Sequence, residues 1–152
     1  MSTKLIGDFG EQITSFCLSK KYAKQGLLSI NASSANLPYD LLIPMPYDKT
    51  PFTRPTAINV KTRGTWSDVI PPKRSKLIQI MTQLDNLGFD YWIGFVKYAF
   101  KDDRLSFEIY LLPANQLSED SDFREATRSD GKQKQILTKA LKQKAWLRFF
   151  SA

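Results

Sequence analysis

Apolar residues recur along this chain with two different periods, which predict helices in some segments and strands in others. A spacing of three to four positions predicts a helix over residues 6–22 and a second over 71–88, where two prolines open the segment and a glycine ends it. Short apolar runs bounded by turn-forming residues predict five strands, at 27–31, 39–43, 57–61, 91–98 and 105–112. The polar stretch 118–131 predicts no regular element, and a final helical pattern runs from 132 to about 148.

This order predicts an α/β fold with a mixed central sheet flanked by helices, in the sequence α-β-β-β-α-β-β-α. The chain has 152 residues, of which 42% are hydrophobic, so it is long and apolar enough to form one domain with its own core. We therefore expect a single domain over 1–152. The final helical pattern, around 132–148, contains basic residues and no acidic ones, which makes it a plausible contact for a phosphate backbone.

Charge and residue usage narrow the chemistry that this chain can perform. Its 22 Lys and Arg against 15 Asp and Glu give a net charge of +7, which favours a polyanionic partner such as DNA or RNA. The sequence contains no histidine, so Ser-His and Cys-His relays and His-ligated zinc are excluded. Hydrolysis by this chain would have to use carboxylates, a lysine and a hard metal ion.

Cysteine usage and hydropathy bear on where the protein works. Cys17 is the single cysteine, which excludes an internal disulfide and a zinc site built from several thiolates. No apolar run approaches the ~20 residues of a membrane span. We therefore expect a soluble cytoplasmic protein with no membrane partner.

Polar residues inside apolar segments mark the candidate site. Asp40 begins the second strand run, and Asn59 and Lys61 lie two positions apart in the third run, on one strand face. Glu11 lies on the first helix, off its main apolar stripe. An acid on one strand, Asn-x-Lys on the next and an acid on an upstream helix form the skeleton of a metal-dependent phosphodiesterase.

The element order and these residues resemble the PD-(D/E)XK nuclease superfamily over roughly the first two-thirds of the chain. The segment 7–11, Gly-Asp-Phe-Gly-Glu, resembles the first helix of Holliday-junction-resolvase-like members. Pro38-Tyr39-Asp40 resembles the "PD" element with one residue inserted. Asn59-Val60-Lys61 resembles the (D/E)-x-K element of intron-encoded and small endonucleases, with Asn59 in place of the usual acid.

The resemblance implies a restriction-endonuclease-like fold and a DNA endonuclease that needs Mg²⁺ or Mn²⁺, working as a homodimer or higher homo-oligomer. Glu11, Asp40 and the backbone carbonyl of Val60 would bind the metal. Lys61 would assist the attacking water, and Asn59 would orient or weakly ligate. A nucleic-acid contact is predicted at residues that follow the third strand and begin the second helix, namely Arg63, Lys73, Arg74, Lys76 and Gln79.

The amide at position 59 keeps other functions open, because it offers a neutral oxygen and no charge to a cation. One alternative is a catalytically inactive nuclease fold that binds nucleic acid or serves in assembly. A second is a basic protein-interaction domain with no nucleic-acid role. The individual residues also have ordinary structural interpretations, since an Asp often caps a strand, a Lys often ends one and a Glu suits the start of a helix.

Overall fold

The computed structural model describes residues 3–32, 37–64, 74–119 and 142–151, and these form one mixed sheet with helices on its two faces. The elements, in chain order, are α1 (Thr3–Lys21), β1 (Ile30–Asn31), β2 (Leu41–Ile43), β3 (Thr56–Gly64), α2 (Arg74–Asn86), β4 (Asp90–Lys101), β5 (Arg104–Pro113), α3 (Ala114–Glu119) and β6 (Leu147–Phe150). A short 3₁₀ turn, Ala23–Gln25, follows α1 and ends at Gly26 in the left-handed conformation.

The six strands lie in the sheet in their order along the chain, from β1 to β6. All neighbours are antiparallel except β3 and β4, which are parallel and joined by α2. A parallel pair needs such a crossover because its connection must return to the same end of the sheet. The β3–β4 pairing is long, from Thr56–Asp90 to Gly64–Tyr98, whereas β2 pairs with β3 over three residues only.

Alternation along the strands separates the apolar side chains into two cores, one on each face of the sheet. On the α1 face, Ile58 and Val60 of β3 pack with Leu18 and Trp92. On the α2 face, Ala57 packs with buried side chains of α2, β4, β5 and α3, which include Leu77, Leu84, Tyr91, Ile93, Phe95, Leu112 and Leu117. β3 is therefore covered on both sides, and polar residues within it have few directions in which to point.

The predicted α/β class is confirmed, because the described residues form a mixed sheet with helices. The first helix and the order of the first five strands follow the sequence expectation, with β1 and β2 shorter and β3, β4 and β5 longer than predicted. Asp40, which was predicted to begin the second strand, lies just before β2. The narrower restriction-endonuclease-like fold stays a prediction. Within the described ranges, no helix is both long and apolar enough to cross a membrane.

The prediction of a final helix over 132–148 is wrong at its C-terminal end. Residues 142–144 are helical, but Leu147–Phe150 form β6 at the edge of the sheet, paired with β5. Leu147 and Phe149 alternate toward the α1-face core, which favours a strand once β5 offers its free edge. The earlier part of that pattern lies outside the described residues. The helix α3 was not predicted from sequence.

Candidate functional site

Asp40 lies where the pairing between β2 and β3 ends. Its N–H donates to the carbonyl of Ile58 at 2.9 Å, although Ile58 is already the partner of Leu41. Two residues of one strand thus oppose one residue of the other, which is the arrangement of a β-bulge. On the other side the Asp40 carbonyl accepts from the N–H of Ala32 at 2.8 Å. The backbone of Asp40 is held from both sides, and the bulge redirects its side chain.

The Asp40 carboxyl fills the place that a continuing β2 would occupy beside β3. Its Oδ2 accepts a hydrogen bond from the N–H of Val60 at 2.7 Å. A strand residue directs its N–H and C=O to the same edge, so the Val60 carbonyl also faces this gap. One carboxylate and one backbone carbonyl therefore face the gap where the two strands separate.

Glu11 reaches this gap because α1 packs very closely on β3. Gly10 is buried, and a Cβ on it would overlap the Thr62 hydroxyl, so only glycine fits at this crossing. The Thr14 hydroxyl donates to the Gly10 carbonyl at 2.7 Å. Glu11 is the next residue on the helix, and its carboxyl lies within hydrogen-bonding reach of the Asp40 carboxyl. The Glu11 carboxyl of α1 therefore lies beside that of Asp40, the residue that precedes β2.

The surroundings of Glu11 change its protonation. Partial burial and then the negative charge of Asp40 raise the pKa of Glu11 from 4.5 to about 7. The charge of Asp8 and a hydrogen bond to Asp40 act in the same direction, and Lys4 opposes them weakly. In the part of the chain that the structure describes, no lysine or arginine forms an ion pair with either carboxyl. The pair is therefore short of positive charge.

Asn59 and Lys61 project from β3 on the α2 face, in line with Ala57. The Asn59 side chain donates from Nδ2 to the carbonyl of Pro38 at 3.3 Å. Lys61 is half-buried, and among the described residues it forms no ion pair with Glu11 or Asp40. The structure thus brings Glu11, Asp40 and the Val60 peptide group to one gap. It does not bring Lys61 there, because the Lys61 side chain projects from the sheet face opposite α1.

The predicted nucleic-acid contacts are only partly within the described residues. Arg63 is exposed at the end of β3 and donates to the Thr62 carbonyl at 2.9 Å. Lys76 and Gln79 are exposed on α2, and Arg74 is its first residue. Lys73 lies outside the described residues.

Sequence reasoning missed Tyr91, which supports the site from β4. Its hydroxyl donates to the same Pro38 carbonyl at 3.1 Å, and its side chain also interacts with Asn59. Burial raises the pKa of Tyr91 to about 12, so the hydroxyl stays protonated and a donor at neutral pH. In the sequence, Tyr91 has no feature that distinguishes it from other aromatic residues of predicted strands. The parallel register, which pairs Tyr91 with Ala57, brings it near Pro38.

A cleft of about 520 Å³ lies elsewhere, around the start of β4. Its lining includes Met81, Asp85, Phe89, Tyr91 and Trp146. Of these residues only Tyr91 also touches the candidate site, and its hydroxyl is turned to Pro38. The cleft therefore holds none of the predicted catalytic residues.

The donors at the gap suit a small hard cation. Mg²⁺ takes oxygen ligands and is commonly held by one or two carboxylates, with water completing its shell. Glu11, Asp40 and the Val60 carbonyl supply such a set. No group of three or more acidic, Cys or His side chains suited to a metal is present among the described residues, so protein carboxylates alone would not enclose the ion. The residues fit Mg²⁺ or Mn²⁺ with an open coordination shell.

No protein-family model, curated protein or solved structure matches this chain. The resemblance to the PD-(D/E)XK superfamily thus stays a prediction from the motif residues.

Proposed function

We propose that this chain is a divalent-cation-dependent nuclease domain that hydrolyses phosphodiester bonds in DNA. The observation that carries the proposal is the paired carboxyls of Glu11 and Asp40 at the gap between β2 and β3, where the Val60 peptide group is also turned. The order α1-β1-β2-β3-α2-β4, with β3 and β4 parallel, agrees with the core that the motif residues imply.

The electrostatics of the pair favour a cation. Burial and then the negative charge of Asp40 raise the pKa of Glu11, so ionising both carboxyls is costly when no ion-pair partner is present among the described residues. Perturbed carboxyls of this kind are concentrated at functional sites. A bound divalent ion would offset the repulsion and displace the Glu11 proton, so binding is expected to strengthen as pH rises through about 7.

Each residue then has a role. A bound Mg²⁺ or Mn²⁺ would supply Lewis-acid polarisation of a phosphate and a more acidic water. Asp40 is oriented for binding by the Val60 N–H, and Glu11 completes the anionic pair. The motif resemblance assigns Lys61, whose side chain projects from the sheet face opposite α1, the role of supplying positive charge for the phosphate and its developing negative charge. These assignments use only side chains that the chain itself provides.

DNA is the proposed substrate because the chain carries a net charge of +7 and exposes Arg63 and Lys76 on the elements that flank the site. The charge alone does not select DNA over RNA, and the motif resemblance makes the choice. A homodimer, which would let two sites act on two strands, belongs to the same proposal and can be checked by light scattering.

The test is a cleavage assay with Mg²⁺ or Mn²⁺ on supercoiled, branched and single-stranded DNA. The native chain should cut at least one substrate, and Asp40→Asn and Lys61→Ala should not. Asp48→Asn, which removes an exposed acid from the connection before β3, is the matched control and should cut normally. Equal cutting by all four proteins would indicate a contaminating nuclease and overturn the proposal.

The second candidate is a nuclease-like domain that binds nucleic acid without cutting it. Asn59 favours this second candidate, because it contributes no charge at a position where the resemblance implies an acid. Its side chain instead donates a hydrogen bond to the Pro38 carbonyl. In that case the same assay would show DNA binding that weakens steeply with salt, and no cleavage by any variant.

A further inference from the structure

The carbonyl of Pro38 receives two side-chain hydrogen bonds from neighbouring strands. The Tyr91 hydroxyl of β4 donates to it at 3.1 Å, and the Asn59 amide of β3 donates at 3.3 Å. A carbonyl oxygen has two lone pairs and can accept both. Tyr91 is 6% exposed, and its ring packs in the α2-face core, so this donor is rigidly placed. We call the three groups the Pro38 clamp.

The clamp explains why an amide is present at position 59. The contact requires a donor, and the Asn59 side chain offers N–H groups, whereas an ionised Asp or Glu offers only acceptors. A carboxylate at this position would face the Pro38 carbonyl oxygen and leave it with the Tyr91 hydroxyl alone. The residue that departs from the expected motif is thus the residue that this local structure needs.

We infer that Asn59 and Tyr91 are positioning residues that set the place of Asp40 through the Pro38 carbonyl, and that the Asn59 side chain is not a metal ligand. The expected effect of the clamp on cation binding rests on the proposed function. The hydrogen bonds of the clamp do not depend on that function.

The chain geometry connects the clamp to Asp40 over two residues. The clamp fixes the carbonyl of Pro38, the Ile58 carbonyl fixes the N–H of Asp40, and the Val60 N–H fixes its carboxyl. Removing the clamp frees the Pro38–Tyr39 peptide, which lies one residue before Asp40. The carboxyl then keeps fewer constraints on its place beside Glu11, and a cation shared by the pair is bound more weakly. Partners of metal ligands commonly change metal affinity by about 10- to 100-fold when they are removed.

The first test is Asn59→Asp, with the Mn²⁺ affinity of the folded protein measured by calorimetry. Because the added carboxylate cannot donate to Pro38, we expect Mn²⁺ binding to weaken by about tenfold or more. Asn59→Leu, which removes the donor without adding charge, should weaken it similarly. Tighter Mn²⁺ binding by Asn59→Asp would place this side chain among the ligands and overturn the inference.

The second test is Tyr91→Phe, which removes one hydroxyl and keeps the ring in the core. The readout is the ¹³C shift of the Pro38 carbonyl, detected through the amide of Tyr39, because hydrogen bonding shifts a carbonyl downfield. Tyr91→Phe should move this signal upfield and weaken Mn²⁺ binding. Tyr110→Phe is the matched control, since its buried hydroxyl bonds to Glu108 instead, and it should change neither.

These readouts separate the inference from the proposed function. If the native protein binds no Mn²⁺ and cuts no DNA, the proposed function fails, but the Pro38 signal still decides whether the clamp exists. If the native protein binds Mn²⁺ and Tyr91→Phe leaves both the Pro38 signal and the affinity unchanged, the inference fails while the proposed function stands.

Discussion

Replacing Glu11 by glutamine should remove a pH dependence of stability that the native protein has. The pKa of Glu11 is raised from 4.5 to about 7 in the folded protein, so between these values the folded state holds a proton that the unfolded chain has lost. The free energy of unfolding must then fall as pH rises through this window and level off above it. Glutamine cannot titrate, so the variant should lack this contribution.

The size of the effect follows from the shift. The change in the pKa of Glu11 from 4.5 to about 7 corresponds, before any reduction by solvent screening, to roughly 3 kcal/mol of unfolding free energy, since one pKa unit is about 1.4 kcal/mol. Glu11 is only half-buried, and solvent screening reduces that figure. We therefore expect the native protein to lose about 1–2 kcal/mol, relative to the variant, between pH 4.5 and pH 7 in the absence of divalent ions.

The assay is urea unfolding at half-unit pH steps of the native protein, Glu11→Gln and the control Asp48→Asn, all in a chelator. The difference between native and Glu11→Gln curves isolates this carboxyl from other titrating groups. Saturating Mg²⁺ at pH 8 should stabilise the native protein more than Glu11→Gln, because only the native pair is complete. Parallel native and Glu11→Gln curves across the whole range would refute the raised pKa of Glu11.

Three further predictions concern packing, surface charge and DNA binding. Gly10→Ala should destabilise the protein by about 1–3 kcal/mol in urea unfolding, because the added Cβ meets the buried Thr62 side chain. The control Gly7→Ala should be neutral or stabilising, because there is open space at its Cβ. Arg54→Ala should cost about 1 kcal/mol or less, since its ion pairs, including that with Asp85, are partly exposed; a much larger loss would show an additional role. DNA affinity, measured by fluorescence anisotropy, should fall linearly with salt on logarithmic axes, and a salt-independent affinity would exclude phosphate contacts.

The regular elements of the fold were accessible from sequence because their signals are local. The helical period in α1 and the apolar runs of β3, β4 and β5 report which faces are buried, and the structure buries those faces. The end of the chain was not accessible in the same way. Leu147–Phe150 become a strand through pairing with β5, a long-range contact that no local pattern contains.

For the candidate site, too, the residues could be chosen from local sequence, but their arrangement in space could not be predicted. Glu11, Asp40 and Asn59 could be selected by residue type and spacing, but their arrangement depends on three contacts that spacing does not encode. These are the approach of α1 to β3 at Gly10, the bulge at Asp40 and the parallel register that brings Tyr91 to Pro38. A single sequence also gives no means of seeing that the Asn59 amide donates to Pro38, which only the structure shows.

The most direct test of the central claim, that Glu11 and Asp40 form one cation site, is a calorimetric titration of metal-free protein with Mn²⁺ at pH 6 and pH 8. We predict a single site that binds Mn²⁺ more tightly at pH 8 than at pH 6. Its affinity should fall by about tenfold or more in both Glu11→Gln and Asp40→Asn and should be unchanged in Asp48→Asn. Equal Mn²⁺ affinity in all four proteins, or no difference between the two pH values, would contradict it.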